Sequence, residues 1–81
     1  PDGLTIEAPL VGTFYRRATP EAAPFVELGQ AIRVGDTVGI IEAMKVMNEI
    51  KAEKAGRVRA VLAEDGAPVE YGQALFVLDP L

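Results

Sequence analysis

The chain has 81 residues, 49% of them hydrophobic and 25% charged, with a formal net charge of −4, which describes one small globular domain over residues 1–81 rather than a disordered chain. Eight scattered Lys and Arg against twelve Asp and Glu leave no basic stripe to displace counterions from phosphate, so nucleic acid is excluded as a partner. Cysteine, histidine, serine and tryptophan are absent, which removes zinc sites, Ser and Cys nucleophiles and the usual general base; neither a metal nor catalysis within the domain is expected.

The chain begins at Pro1 without an initiator Met and is read as a C-terminal fragment or processed piece of a longer chain. No secretory signal opens it and no window approaches the roughly 20 apolar residues of a membrane span, so a soluble protein is expected. From there, short β-type runs are separated by Gly, Pro and Asp: Leu4–Ala8, Gly12–Tyr15, Ala31–Val34, Val38–Ala43, Val46–Ala52, Arg57–Val61, Pro68–Tyr71 and Ala74–Leu78. This predicts an all-β fold. Glu21–Leu28 is interrupted at Pro24 and preceded by Pro20, so it reads as loop rather than helix.

Laid on itself, the chain repeats. The run Gly29–Ile40 matches Gly66–Val77 at a constant shift of 37, with glycines and apolar positions coinciding. Ile6-Glu7-Ala8 matches Ile50-Lys51-Ala52, and Gly12-Thr13-Phe14 matches Gly56-Arg57-Val58, at a shift of 44. Two related four-stranded halves imply a flattened eight-stranded barrel or sandwich with quasi-twofold symmetry. The shifts differ by seven, so the first half carries an insert, a loop at about residues 17–24. In the same alignment Glu42-Ala43-Met44 falls on Asp79-Pro80-Leu81. The first half therefore runs on into a hairpin where the second half stops, and the hairpin tip is the symmetry counterpart of the chain ends.

That hairpin leaves only Met44 and Lys45 to reverse the chain between Val38–Ala43 and Val46–Ala52. Two-residue β-turns usually need positive φ at both central residues, which is why Asn-Gly and Asp-Gly dominate them. Met and Lys in their place cost about 1 kcal/mol or more each, a penalty natural chains accept at functional sites. A lysine amine, with a reference pKa of about 10.4, is a nucleophile only when deprotonated, and nothing in the hairpin promises that. Lys45 is read instead as an acceptor for covalent modification, which need only be reachable; an ordinary surface lysine is the alternative. Met44 and Met47 read as a flexible apolar recognition surface, or otherwise as apolar filling, and Val46 as a β-branched support for the turn. Glu42 and Glu49 raise the question of an acid pair, against the simpler reading of a solvated strand face. Phe14, Tyr15, Phe25, Tyr71 and Phe76 read as core or core edge, with Phe25 anchoring the return of the insert.

The stretch Glu42-Ala43-Met44-Lys45-Val46-Met47 resembles the attachment motif of biotinyl domains. The resemblance covers the whole chain, from Ala8-Pro9-Leu10-Val11-Gly12-Thr13-Phe14-Tyr15 through Gly29-Gln30, Gly35-Asp36 and Gly56 to Gly72. Val46 departs from it, since many members carry a second Met there; the position stays apolar. The insert resembles the thumb of the biotin carboxyl carrier proteins of multi-subunit acetyl-CoA carboxylases, with Thr19-Pro20-Glu21-Ala22 at its tip.

The resemblance implies biotin in amide linkage on Lys45, with Glu42, Ala43, Met44, Val46 and Met47 as flanking recognition residues. It implies a non-catalytic carrier in fatty acid synthesis. A biotin protein ligase would load it, a biotin carboxylase would charge it using ATP and bicarbonate, and a carboxyltransferase would pass the carboxyl group to acetyl-CoA to give malonyl-CoA. Bacterial cytoplasm is the implied compartment, with plastid stroma the other. Two further readings stand beside it: a lipoyl carrier of a 2-oxo acid dehydrogenase or glycine-cleavage system, and an unmodified β-module or adaptor.

Overall fold

Turn residues cut the chain into eight strands: β1 (Leu4–Glu7), β2 (Gly12–Tyr15), β3 (Ala31–Ile32), β4 (Thr37–Ala43), β5 (Val46–Lys51), β6 (Gly56–Val61), β7 (Ala67–Val69) and β8 (Ala74–Asp79). A computed structural model describes residues 4–81, and among them there is no helix. The strands form two four-stranded antiparallel sheets, β1-β8-β6-β3 and β5-β4-β2-β7. Each run matches its sequence expectation to within a few residues.

The internal repeat becomes an exact exchange of sheets: β1, β8, β6 and β3 correspond in order to β5, β4, β2 and β7. The registers follow suit. Leu4 pairs with Leu78 as Asn48 pairs with Ile41, and the irregularity at Ile6/Glu7 recurs at Thr37/Gly39. Gly12 faces Val69 as Gly56 faces Ile32. The turns match as well, since Gly35 N donates to Ala52 O and Gly72 N to Ala8 O, both at 2.8 Å. The four glycines with positive φ among the described residues form two related pairs, Gly29 with Gly66 and Gly35 with Gly72. The hairpin joining β4 to β5 is therefore the counterpart of the open pair β8–β1, where the described chain starts and ends.

The core lies between the sheets and is wholly apolar: the buried residues include Phe14, Ile32, Val38, Ile41, Val58, Val69, Leu75, Phe76 and Leu78, with no buried polar side chain among the described residues. Symmetry-related positions trade volume here. Phe14 occupies the space a side chain on Gly39 would need, its ring carbon 2.5 Å from where a Cβ would sit. In the other half the related positions hold Val58 and Phe76. The two phenyl rings meet edge to face, centroids 6.0 Å apart at 74°, a favoured aromatic geometry.

The repeat has one irregularity, and one expectation needs correction. The strands of the repeat differ past Phe14 and Val58: β6 bulges between Val58 and Ala60, which sets Ala60 opposite Val77, whereas Tyr15 pairs regularly with Ile40. A bulge adds one residue to a strand, and the excess of seven residues in the first half, counted from Phe14 to Gly29 against Val58 to Gly66, is unchanged by it. Tyr71 is neither core nor core edge but 75% exposed. It precedes the positive-φ turn at Gly72, just as Val34, 66% exposed, precedes Gly35, so the pattern marks a turn and not a buried strand end. Phe14 and Phe76 are fully buried, while Tyr15 and Phe25 are half-buried.

Candidate functional site

The β4–β5 hairpin closes on Met44 at φ 52° and Lys45 at φ 65°, the only non-glycine residues with positive φ among those described. The cross-strand pair Ala43–Val46 flanks the turn directly. Both central residues thus sit in the left-handed region that the turn demands and that their Cβ atoms disfavour. Two side chains support this conformation. The Glu42 carboxylate accepts from Lys45 N at 2.9 Å, and the Asn48 amide donates to the carbonyls of Ile41 and Val46, each at 3.1 Å. Glu42 therefore restrains the backbone of the very residue the turn presents.

The result is an apolar tip around one amine. Met44 is 96% exposed, Val46 57% and Met47 55%; Ala43 and Glu42 are half-buried and Lys45 is exposed. Among the described residues no hydrogen bond or ion pair engages the Lys45 Nζ. Large apolar side chains this exposed are a recognition surface more readily than core. The acid pair does not form. Glu42 lies opposite Met47 and Glu49 opposite Ile40, and Glu49 is occupied by Lys51 Nζ at 3.0 Å and by the Thr37 hydroxyl at 3.3 Å. Its carboxyl is held below the ordinary glutamate value of 4.5 first by the Lys51 hydrogen bond, then by the Lys51 charge, then by Thr37.

The insert belongs to the connection between β2 and β3, residues 16–30, whereas its counterpart between β6 and β7 runs only 62–66. Arg16 secures its base with backbone and side chain together. Phe25 N donates to Arg16 O at 2.8 Å, Arg16 Nη2 donates to Val26 O at 2.8 Å, and Arg16 N donates to the Asp65 carboxylate of the other half at 2.6 Å. Inside the loop, Ala22 N donates to Thr19 O at 3.1 Å and Arg17 Nη1 to Ala22 O at 3.0 Å. Thr19, Pro20 and Glu21 are exposed and Ala22 half-buried. The loop reaches the hairpin: Tyr15, Arg17, Ala18, Thr19 and Pro20 line one cleft of about 130 Å³ with Met47 and Asp65. Insert and lysine therefore share a side of the molecule, but Glu21 and Ala22 do not line that cleft.

Asn48 and Asp65 support the hairpin and the loop without belonging to the motif. Asn48 is the first polar residue of the arm after Val46 and Met47, a signal that could have been read. Asp65-Gly66 has the form of an ordinary turn, and its link to Arg16, 49 residues away, leaves no local trace. No group of three or more His, Cys, Asp or Glu is arranged to hold a metal among the described residues.

These features place the chain among known proteins. The family model described as "Biotin-requiring enzyme" matches residues 4–78. The chain is 52% identical over 77 residues to the biotin carboxyl carrier protein of acetyl-CoA carboxylase of Haemophilus influenzae, covering 95% of this chain and 50% of that protein. It is 51% identical over 75 residues to the chloroplastic biotin carboxyl carrier protein of acetyl-CoA carboxylase 2 of Arabidopsis thaliana, covering 93% of this chain and 29% of that one. In three dimensions it superposes on the urea carboxylase of Kluyveromyces lactis with a TM-score of 0.76 at 29% identity, over 98% of this chain and 6% of that one. The chain thus spans half or less of the length of these relatives. A symmetric pair of four-stranded sheets, a positive-φ Met-Lys tip and a family match over nearly every described residue agree, and the chain belongs to the biotin-requiring enzyme family.

Proposed function

We propose that Lys45 carries biotin in amide linkage and that the chain is the carrier part of an acetyl-CoA carboxylase. The observation that carries this reading is the tip itself: an exposed, unengaged amine held at φ 65° between exposed methionines. An acceptor of this kind needs access and a fixed presentation rather than a perturbed environment, and the hairpin supplies both. The residues fit the group. An exposed primary amine stands at the tip, and two residues along the arm Met47 edges a cleft with Tyr15, Thr19 and Pro20 that offers apolar contacts and one hydroxyl.

When bound, biotin supplies a ureido nitrogen that takes up a carboxyl group and gives it away; the hard chemistry is the cofactor's. The chain's own residues bind and orient. Met44, Val46 and Met47 offer a surface to the biotin protein ligase and to the two catalytic partners, while Glu42 and Asn48 hold the turn. The loop with Thr19, Pro20, Glu21 and Ala22 limits the excursions of the arm. A long lysyl arm on a tethered domain replaces free diffusion by delivery at a high local concentration, so contacts with biotin carboxylase and carboxyltransferase are weak and quickly broken. The names of the relatives support the acetyl-CoA carboxylase assignment and favour bacterial cytoplasm or plastid stroma as the compartment.

Transfer of label tests the function. After loading by biotin protein ligase, the protein is incubated with a biotin carboxylase, ATP and labelled bicarbonate, then with carboxyltransferase and acetyl-CoA. Label appearing on the protein and then in malonyl-CoA is the expected result. Preferential modification of Lys45 by a lipoate ligase would favour the lipoyl reading instead.

A further inference from the structure

The chain contains two methionines and no cysteine, and both methionines lie within two residues of Lys45. Neither is in the core, which is built from Ala, Val, Ile, Leu and Phe alone. Oxidation of methionine normally disrupts packing by making a flexible apolar side chain polar. Here it has no core packing to disrupt. Met44 is 96% exposed on the turn. Met47 is 55% exposed and borders the cleft with Tyr15, Thr19 and Pro20, which shields one side of it.

We infer that the tip is an oxidation site in which a peroxide converts Met44 first and Met47 second to the sulfoxide, switching off acceptance of Lys45 by its modifying enzyme without unfolding the domain. The step balances as thioether plus hydrogen peroxide giving sulfoxide plus water, with the sulfur oxidised and the peroxide oxygen reduced. Each sulfoxide adds a strong hydrogen-bond acceptor to the apolar patch of Met44, Val46 and Met47. A partner that buries this patch must then bury an unpaired S=O group, which weakens the contact. The order of reaction follows exposure. The loss of acceptance rests on the attachment proposed above; the selective oxidation does not.

The test oxidises the unmodified protein with graded hydrogen peroxide, maps sulfoxide by peptide mass spectrometry, and measures thermal unfolding and the rate of biotin incorporation on the same samples. Met44 is expected to oxidise about threefold or more faster than Met47, with the unfolding midpoint unchanged. The incorporation rate is expected to fall at least about fivefold in proportion to Met44 sulfoxide and to return after treatment with methionine sulfoxide reductases. Equal oxidation of the two residues, loss of the folded state on oxidation, or unchanged incorporation by an oxidised protein whose unoxidised form is a good substrate each overturns this inference and leaves the attachment reading intact. If the unoxidised protein accepts no biotin, the attachment reading fails and the switch fails with it.

Discussion

Met44 and Lys45 occupy the one place in the described chain where side chains other than hydrogen are held at positive φ. Local rules would have put Asn-Gly there, and that conflict was readable in the sequence because the strand runs on either side left only two residues for the turn. The supports were less readable. Glu42 was visible as a neighbour, but its bond to Lys45 N follows from the turn's curvature and not from spacing, and the double bond of Asn48 to Ile41 and Val46 depends on register. Relieving the strain at one position should therefore stabilise the fold at the expense of the site. Met44→Asn is expected to raise unfolding stability by about 1 kcal/mol, measured by denaturant titration, while lowering the rate at which biotin protein ligase modifies Lys45.

At the scale of elements, all eight strands and their pairing into two related halves were legible, because Gly and apolar positions repeat with the period of the half. Two features were hidden. The bulge at Arg59 shifts the strand pairing by one residue without any Gly or Pro to announce it, and the anchoring of the loop by Asp65 joins residues 49 apart. Asp65→Ala removes the acceptor for Arg16 N and is expected to cost about 1 kcal/mol and to speed amide hydrogen exchange in residues 18–22 while leaving the strands protected; Asp65→Asn, which keeps an acceptor, should do neither. The far end of the β4–β5 pair gives a pH-dependent prediction. Because Lys51 and Thr37 hold the Glu49 carboxyl below its ordinary value, the ionised form favours the folded state. Its contribution is present above pH 4.5 and disappears as the pH falls through the lowered value. Glu49→Gln should therefore be less stable than the parent at pH 7 and converge with it well below pH 4.5, as read from denaturation midpoints across that range.

Across the whole molecule, the quasi-twofold explains why one half ends in a site and the other does not. The same strand pair that closes on Met44 and Lys45 in one sheet is open in the other, so the ends of the described residues and the Met44-Lys45 tip are counterparts. The core asks little of that tip: Phe14 fills the space over Gly39 and meets Phe76 edge to face, while every methionine stays outside the core. An apolar core that does not depend on the exposed tip suits the carrier role proposed above. Lys45 alone is the proposed point of attachment, and intact mass after incubation with biotin protein ligase, biotin and ATP is the decisive measurement. The parent protein is expected to gain the mass of one biotinyl group and Lys45→Arg none, although Lys51 and Lys54 remain; no gain in the parent, or the same gain in the variant, would contradict it.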